Sequence, residues 1–137
     1  MASITYSSFK KNLFDADVDL LVDTIKVALV TASYTPAITH DFFNDLTNEV
    51  SGAGYTAGGA TLGTKTTTAG ATTVFDAADT SWTTATIALA RYAIIYKDTG
   101  NAATSPLIAC VDLGGDKSST AGTFLITWDA AGILTLT

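Results

Sequence analysis

The feature that most constrains the fold of this chain is a series of short apolar segments, most of them with the two-residue period of a β-strand. Five segments carry it: residues 24–30 (TIKVALV), 91–97 (RYAIIYK), 106–113 (PLIACVDL), 123–129 (TFLITWD) and 132–137 (GILTLT). In the first of them, Ile25, Val27 and Leu29 share one face. Weaker strand candidates are residues 61–68, 71–75 and 84–90. Thr accounts for 25 of the 137 residues and favours pleated surfaces over helix interiors, which strengthens the β prediction.

Turn-forming residues separate these segments. Residues 97–106 (KDTGNAATSP) lie between two predicted strands, residues 114–122 (GGDKSSTAG) between the next two, and residues 129–132 (DAAG) between the last pair. Short connections of this composition join neighbouring antiparallel strands. The sequence therefore predicts that the last three strands form an antiparallel meander.

Helical periodicity is confined to two short segments. Residues 6–15 (YSSFKKNLFD) place Phe9 and Leu13 four positions apart, and residues 39–49 (THDFFNDLTNE) begin with a cap candidate and predict about two turns. The prediction is one all-β domain over residues 1–137, an antiparallel sandwich or jelly-roll-like barrel with one or two short helices. Periodicity does not report strand order, so sandwich, jelly roll and small barrel all stay open.

The charge of the chain argues against nucleic acid as a partner. Its net charge is −6, and the only adjacent basic pair is Lys10–Lys11. Binding to phosphates needs Lys and Arg to replace counterions. Charged residues make up only 15% of the chain, against about 25% in an average soluble domain. A surface so poor in charge and rich in Ala, Gly and Thr indicates that part of it lies against another protein chain.

No segment predicts a membrane span or a secretion signal. The densest apolar run, residues 85–96 (ATIALARYAIIY), contains Arg91 and is shorter than a span. The N-terminal residues contain no apolar run of signal-peptide length, so we expect synthesis and folding in a cytoplasm. The single cysteine, Cys110, lies in an apolar segment and is expected to be a small buried side chain, not a nucleophile.

Residues 52–68 (GAGYTAGGATLGTKTTT) come close to two nucleotide-binding motifs. The first six match G-x-G-x-x-A, but no helical period follows, as a dinucleotide fold requires. A P-loop needs Lys directly after its second Gly, whereas Thr64 separates Gly63 from Lys65. We therefore predict that the glycines form a turn or bulge that leads into a Thr-rich hairpin, and not a phosphate site.

Two further motifs point weakly to chemistry. Residues 15–20 (DADVDL) resemble the first half of a calcium loop, but Leu20 stands where Gly is needed and Lys26 where the bidentate Glu belongs. A solvated acidic turn is predicted, with a weak surface cation site as the open alternative. His40, the only histidine, is the one residue through which a Ser-His-Asp triad could form. Its place before a predicted helix indicates a capping or surface role.

The remaining candidates form no recognisable site. The 13 acidic residues are scattered over turns, so no carboxylate pair stands out. Trp82 and Trp128 could line a sugar-binding face, although Trp128 alternates with Phe124 and Ile126 as a core residue would. The sequence predicts no catalytic residue, no cofactor site and no metal site.

Four stretches resemble proteins of one kind. They are residues 6–36 (YSSFKKNLFDADVDLLVDTIKVALVTASYTP), 46–62 (LTNEVSGAGYTAGGATL), 90–100 (ARYAIIYKDTG) and 124–137 (FLITWDAAGILTLT). In this order along the chain they resemble small virion structural proteins of tailed bacteriophages. The resembling motifs are structural and transfer no active-site residues.

The resemblance implies a virion component made in the host bacterial cytoplasm. Our first expectation is a head decoration, or capsid cement, protein on the head surface. Proteins of that kind are small, β-rich and often trimeric, so the expected partners are the major capsid protein and further copies of the chain. Loops and the N-terminal segment are the expected contacts. The alternative is a tail or baseplate component, with host-surface binding as its role. An enzyme such as a wall hydrolase is the least favoured class.

Overall fold

A computed structural model describes residues 3–137 and confirms the predicted all-β, antiparallel class. The strands are β1 (Ile4–Thr5), β2 (Ile25–Thr31), β3 (Ala60–Thr61), β4 (Thr66–Thr68), β5 (Thr73–Asp76), β6 (Thr80–Lys97), β7 (Leu107–Ile126) and β8 (Leu134–Leu136). One α-helix, α1 (Ser7–Phe14), follows β1 and confirms the helix predicted over residues 6–15. The second predicted helix is wrong: residues 39–49 contain only a 3-10 turn, Phe43–Asp45.

The strands form two antiparallel sheets that pack as a sandwich. The larger sheet has the order β1-β7-β6-β2-β3, and the smaller has the order β4-β5-β8. Leu29 of the larger sheet and Phe75 of the smaller belong to one apolar cluster, which also takes in Phe9 of α1. The strands described within residues 3–137 do not close into a barrel, so the sandwich is the correct one of the predicted architectures.

Strands β6 and β7 form one long hairpin of 18 and 20 residues. Its proximal half, residues 91–97 and 107–113, lies inside the larger sheet, because β2 pairs along β6 and β1 pairs with Ala109 and Cys110. Its distal half comprises residues 80–90 and 114–126. There, among the strands that the structure describes, β6 and β7 pair almost entirely with each other.

The distal half contains a series of β-bulges. After two regular pairs at Thr80 and Ser81, the register shifts between each of the following pairs and the next. These pairs are Trp82 with Phe124, Ala85 with Gly122, Ile87 with Ser119 and Ala90 with Lys117. Thr84, Leu89 and Ala121 lie at these shifts with φ of 50°, 55° and 44°. A left-handed backbone costs a non-glycine residue about 1–2 kcal/mol. The distal half is therefore irregular and carries local backbone strain.

Both faces of the larger sheet are covered at its centre. Ile25, Val27 and Leu29 lie together in the main core, which confirms their predicted common face. On the opposite face, Ile94 and Tyr92 belong to a second cluster beneath the connection between β2 and β3. Burial on both sides explains why residues 92–96 (YAIIY) contain no charged side chain.

The predicted turn at residues 114–122 is wrong, because these residues are the middle of β7. Gly114 and Gly115, with φ of 78° and 159°, lie where the register shifts, and the strand continues beyond them. The predicted terminal meander is wrong for the same reason: two of its strands are one strand. The last strand, β8, pairs instead with β5 of the smaller sheet.

Candidate interaction surfaces

The glycine-rich stretch lies against backbone, as a turn-or-bulge role requires. A Cβ on Gly52 would stand 1.9 Å from the carbonyl oxygen of Thr86, and one on Gly59 would stand 1.8 Å from that of Val27. Glycine therefore lets this segment cover β6 and β2 at a distance that no side chain allows. The pairing of β4 with β5 then confirms the predicted Thr-rich hairpin.

We call residues 15–23, which follow α1, the acidic segment. Lysine side chains bind oxygen atoms of this segment. Lys97 Nζ lies 3.0 Å from Asp23 Oδ2 and donates a 2.7 Å bond to the carbonyl oxygen of Asp17. The Lys65 ammonium donates to the carbonyl oxygen of Asp23. Burial alone would raise the pKa of Asp23, but the Asp19 amide and the Lys97 ammonium lower it below its usual value. Of the carboxylates in residues 15–20, that of Asp15 pairs with the Lys11 ammonium and that of Asp19 accepts two backbone amides.

Within residues 3–137, no group of three or more His, Cys, Asp or Glu side chains is placed to hold a metal ion. In the same residues, no helix has the length and apolarity needed to cross a membrane.

The acidic segment also holds apolar side chains out in solvent. Asp19 Oδ1 accepts bonds from the amides of Leu21 at 2.9 Å and Val22 at 3.0 Å, and the Asp19 amide donates to Asp23 Oδ2 at 2.8 Å. Leu21 is 47% exposed, Val22 82%, and Phe14, the last residue of α1, 92%. We call Phe14, Leu21 and Val22 the tip. Because hydrogen bonds of the Asp19 and Asp23 side chains fix the turn, its backbone conformation keeps Leu21 and Val22 exposed to solvent.

A groove of about 570 Å³ lies between α1 and the smaller sheet. Most of its lining is apolar: Ile4, Phe9, Leu13, Leu20, Ile38, Val74, Phe75, Leu134 and Leu136. Ile38 and Leu136 at its margin are 54% and 65% exposed, and Lys10 is the charged residue of the lining. A shallower depression shares Leu13 and Leu20 with this α1 groove and reaches Leu21 of the tip. Leu21 of the tip thus adjoins the α1 groove, and we call the tip and the groove together the apolar face.

The outer edge of β7 is a second candidate surface. Among the described strands, only β1 lies beside β7 on the side away from β6, and it pairs with Ala109 and Cys110 alone. A depression of about 480 Å³ follows β7 from Val111 to the residues just beyond its end. Leu125, 56% exposed, belongs to its lining. The edge therefore offers backbone groups beside an accessible apolar side chain.

One ion pair marks the boundary between the two halves of the hairpin. Arg91 Nε lies 3.0 Å from Asp112 Oδ1, and Arg91 Nη2 lies 3.2 Å from Asp112 Oδ2. This two-pronged contact, together with the Gly114 amide, lowers the pKa of Asp112 to about 2. The pair ties β6 to β7 just before the first large register shift.

The only histidine is tied to a buried pair of tyrosines. The Tyr34 hydroxyl lies 2.7 Å from His40 Nδ1 and 3.0 Å from the Tyr6 hydroxyl. Burial raises the pKa of Tyr34, so its phenol stays neutral. Of the two roles predicted for His40, capping is wrong, because Asp45 caps the 3-10 turn by accepting the Asp41 amide at 2.8 Å. His40 is half-buried, so the surface alternative is only partly correct. His40 instead helps to hold the β2–β3 connection over the second core.

Cys110 and the two tryptophans are structural residues. Cys110 is 1% exposed, and burial raises the pKa of its thiol to about 12, which confirms the buried role. Trp82 and Trp128 are 6% and 8% exposed. The Trp82 ring packs edge-on against Phe124, and Trp128 Nε1 donates a 3.2 Å bond to a backbone carbonyl. Trp128 is thus a core residue as predicted, and neither ring is exposed enough to serve as a sugar platform.

In comparisons with known proteins, the chain matches no family model, no curated protein and no solved structure. The apolar face and the β7 edge are features that the sequence patterns did not single out. The available signal for the face was local: Phe14, Leu21 and Val22 are large apolar residues of a stretch, residues 14–23, that also contains four Asp residues. No comparable signal marks the edge, because edge position depends on strand order.

Proposed function

We propose that the chain is a structural protein of a tailed-phage particle, a capsid decoration or cement protein and not an enzyme. The observation that carries this proposal is the apolar face, where five large apolar side chains are between 47% and 92% exposed. Monomeric proteins rarely expose contiguous apolar patches of more than a few hundred Å². A chain that holds such side chains on a hydrogen-bonded turn is suited to permanent contact with other chains. The sequence resemblance supplies the kind of particle.

A cement protein has to contact more than one neighbour. The apolar face and the β7 edge are separate surfaces, so one copy can engage two chains at once. If the capsid sites exist only on the assembled shell, binding stabilises that shell by mass action, by about 2.7 kcal/mol per site at a free concentration 100 times Kd. A homo-oligomer adds avidity to each contact.

We assign the capsid contact to the β7 edge. An extended segment of the capsid protein can add there as a further strand, with main-chain hydrogen bonds as the source of affinity. Leu125 lies in the adjoining depression and offers an apolar contact to such a segment. The low charge of the chain favours contacts of this kind over electrostatic ones.

A tail or baseplate component is the competing structural role. The same apolar face would serve it, so location in the particle separates the two. Cryo-electron microscopy of the intact virion tests this directly. We expect density for the chain at symmetric positions between capsid proteins over the head. Density confined to the tail would replace the cement role with the tail role, and absence from the particle would overturn both.

A binding measurement with matched variants tests the assigned edge. Leu125 and Leu89 lie in the same hairpin half and are 56% and 57% exposed, but only Leu125 lines the β7 depression. Purified chain is added to heads that lack it, and bound protein is counted after sedimentation. We expect Leu125→Asp to lose binding and Leu89→Asp to bind as the natural chain does. Equal binding by both variants would refute the edge assignment.

A further inference from the structure

The tip and the α1 groove are complementary surfaces on the same chain. The tip consists of exposed apolar side chains at the end of α1 and on the turn that follows, one of them an aromatic ring that is 92% exposed. The α1 groove is a concave apolar site of about 570 Å³, within the roughly 300–1,000 Å³ of sites that enclose a small ligand. Because Leu13, not Phe14, lines the groove, Phe14 does not fill the groove of its own copy.

We propose that the tip of one copy docks into the α1 groove of a second copy, so that the apolar face is the self-association surface of the protein. This inference deepens the proposed function and rests on it, in that it names the homo-oligomer contact of the structural role. It leaves the capsid contact at the β7 edge untouched.

Charge supports a second copy as the occupant. The tip is flanked by Asp17 and Asp19, both exposed, while the lining of the groove contains one charged residue, Lys10. Docking of tip into groove brings acidic side chains of one copy toward a basic side chain of the other. Such pairs at the margin of an interface orient the partners and favour correct encounter.

The apolar face offers side chains for the centre of an interface. A stable interface buries about 800 Å² on each partner and is most apolar at its centre. Five large apolar side chains of each copy, three on the tip and two at the margin of the groove, are between 47% and 92% exposed, and docking buries both sets. The hydrogen bonds of Asp19 hold Leu21 and Val22 in place, so little conformational freedom is lost on docking.

The contact is self-complementary. Each copy carries both a tip and a groove, so docking of one copy into the next produces a closed ring, an open filament or, with a two-fold axis, a reciprocal pair. The defining feature of the proposal is the tip-to-groove contact, and the number of copies is measured in its test.

Sedimentation velocity and light scattering on the purified full chain provide the test. We expect a discrete oligomer that dissociates in Phe14→Asp, which alters the tip, and in Leu136→Asp, which alters the groove. Loss of one buried apolar side chain and introduction of a charge should raise the dissociation constant at least tenfold. Leu89→Asp is the control: Leu89 is 57% exposed but lies in the distal half of the hairpin, outside the apolar face.

Mixing the two variants makes the test specific. The Leu136→Asp chain keeps an intact tip and the Phe14→Asp chain keeps an intact groove, so an equimolar mixture should form a hetero-oligomer through one remaining contact. Circular dichroism checks that each variant is folded, and Val22→Asp replaces Phe14→Asp if that variant is not.

The outcomes separate this inference from the proposed function. A monomeric natural chain, an oligomer that both variants leave intact, or two dissociated variants that do not complement each other would each overturn self-docking. None of these results bears on the capsid binding of Leu125→Asp and Leu89→Asp, which tests the structural role by itself.

Discussion

The two halves of the β6–β7 hairpin consist of the same two strands, yet they differ in regularity. In the proximal half, β2 and β1 flank the pair, and Ile94 is fully buried within the second apolar cluster. In the distal half the flanking strands end, the register shifts repeatedly, and three non-glycine residues adopt positive φ. A strand pair keeps a regular register where neighbours on both sides specify it, and it accommodates bulges where they do not.

This difference places stability and interaction in separate regions. The proximal half is enclosed by the sandwich and contributes most to the core. The distal half keeps one buried row, which includes Trp82 and Ile87, but exposes the outer edge of β7. We therefore expect core substitutions to be costly in the first region and surface changes to act mainly on binding in the second.

The largest effect should come from truncation in the proximal half. Ile94→Ala removes a large, fully buried side chain, so we expect the free energy of unfolding to fall by about 2–5 kcal/mol. Leu89→Ala in the distal half removes a side chain that is 57% exposed and should change stability by about 0.5 kcal/mol or less. Urea denaturation of both variants measures the contrast. Similar losses would show that the two halves are equally important to the core.

The next effect concerns the glycine segment that covers β2. Gly59 and Gly100 have nearly equal φ of +80° and +85°, but only at Gly59 would a Cβ meet backbone, 1.8 Å from the Val27 oxygen. Gly100→Ala should lose about 1–2 kcal/mol from its backbone conformation alone. Gly59→Ala should lose a further ~1–3 kcal/mol from forced displacement of the segment. Equal denaturation midpoints for the two variants would contradict the close backbone approach.

A smaller effect, of opposite sign, is expected at the bulges. Thr84 has φ of 50°, so Thr84→Gly should relieve strain and stabilise the protein by up to about 1 kcal/mol. Its neighbour Thr83 is the matched control, because it lies in the same bulge without a positive φ and glycine within a strand costs about 0.5–1 kcal/mol. Thermal denaturation should therefore move the two variants in opposite directions. Destabilisation by both would mean that the Thr84 backbone carries no relievable strain.

The smallest effect is the acid dependence of the pair that joins the halves. The pKa of Asp112 is lowered to about 2 in the folded protein, whereas an unfolded Asp titrates near 3.9. A lowered folded-state pKa stabilises the fold above the unfolded value, so this contribution should disappear as the pH falls from about 4 to about 2. Carbon-detected NMR titration should place the Asp112 carboxyl near 2 and return it toward the ordinary value in Arg91→Gln. An ordinary pKa for Asp112 in the natural protein would show that the ion pair with Arg91 does not form.

Much of the local structure could be predicted from the sequence. Residues 24–30, 91–97 and the segment around α1 follow the expected periods, and the glycine stretch leads into a Thr-rich hairpin as predicted. Cys110 and Trp128 are buried as their apolar neighbours indicated. These predictions rest on interactions between residues close in sequence, where backbone preference and side-chain alternation act directly.

The failures have one physical cause. Gly114, Gly115 and the polar residues after them have the composition of a turn, but pairing with β6 keeps them extended. Residues 39–49 have helical signals, but the connection instead runs over the second core and is held by Tyr34, His40 and Asp45. In both places, contacts between residues far apart in sequence outweigh a weak local preference.

The sequence by itself determined the class of the fold, the main strands, the first helix and the low charge of the surface, because composition and short-range periodicity are sufficient for these. Only the tertiary structure decided which strands became neighbours, and therefore which edge of β7 stayed open and which side chains of the acidic segment faced solvent. Both candidate surfaces depend on that arrangement. The exposure of a side chain depends on which elements pack beside it. The patterns of a single sequence do not report strand order, so they do not report this exposure.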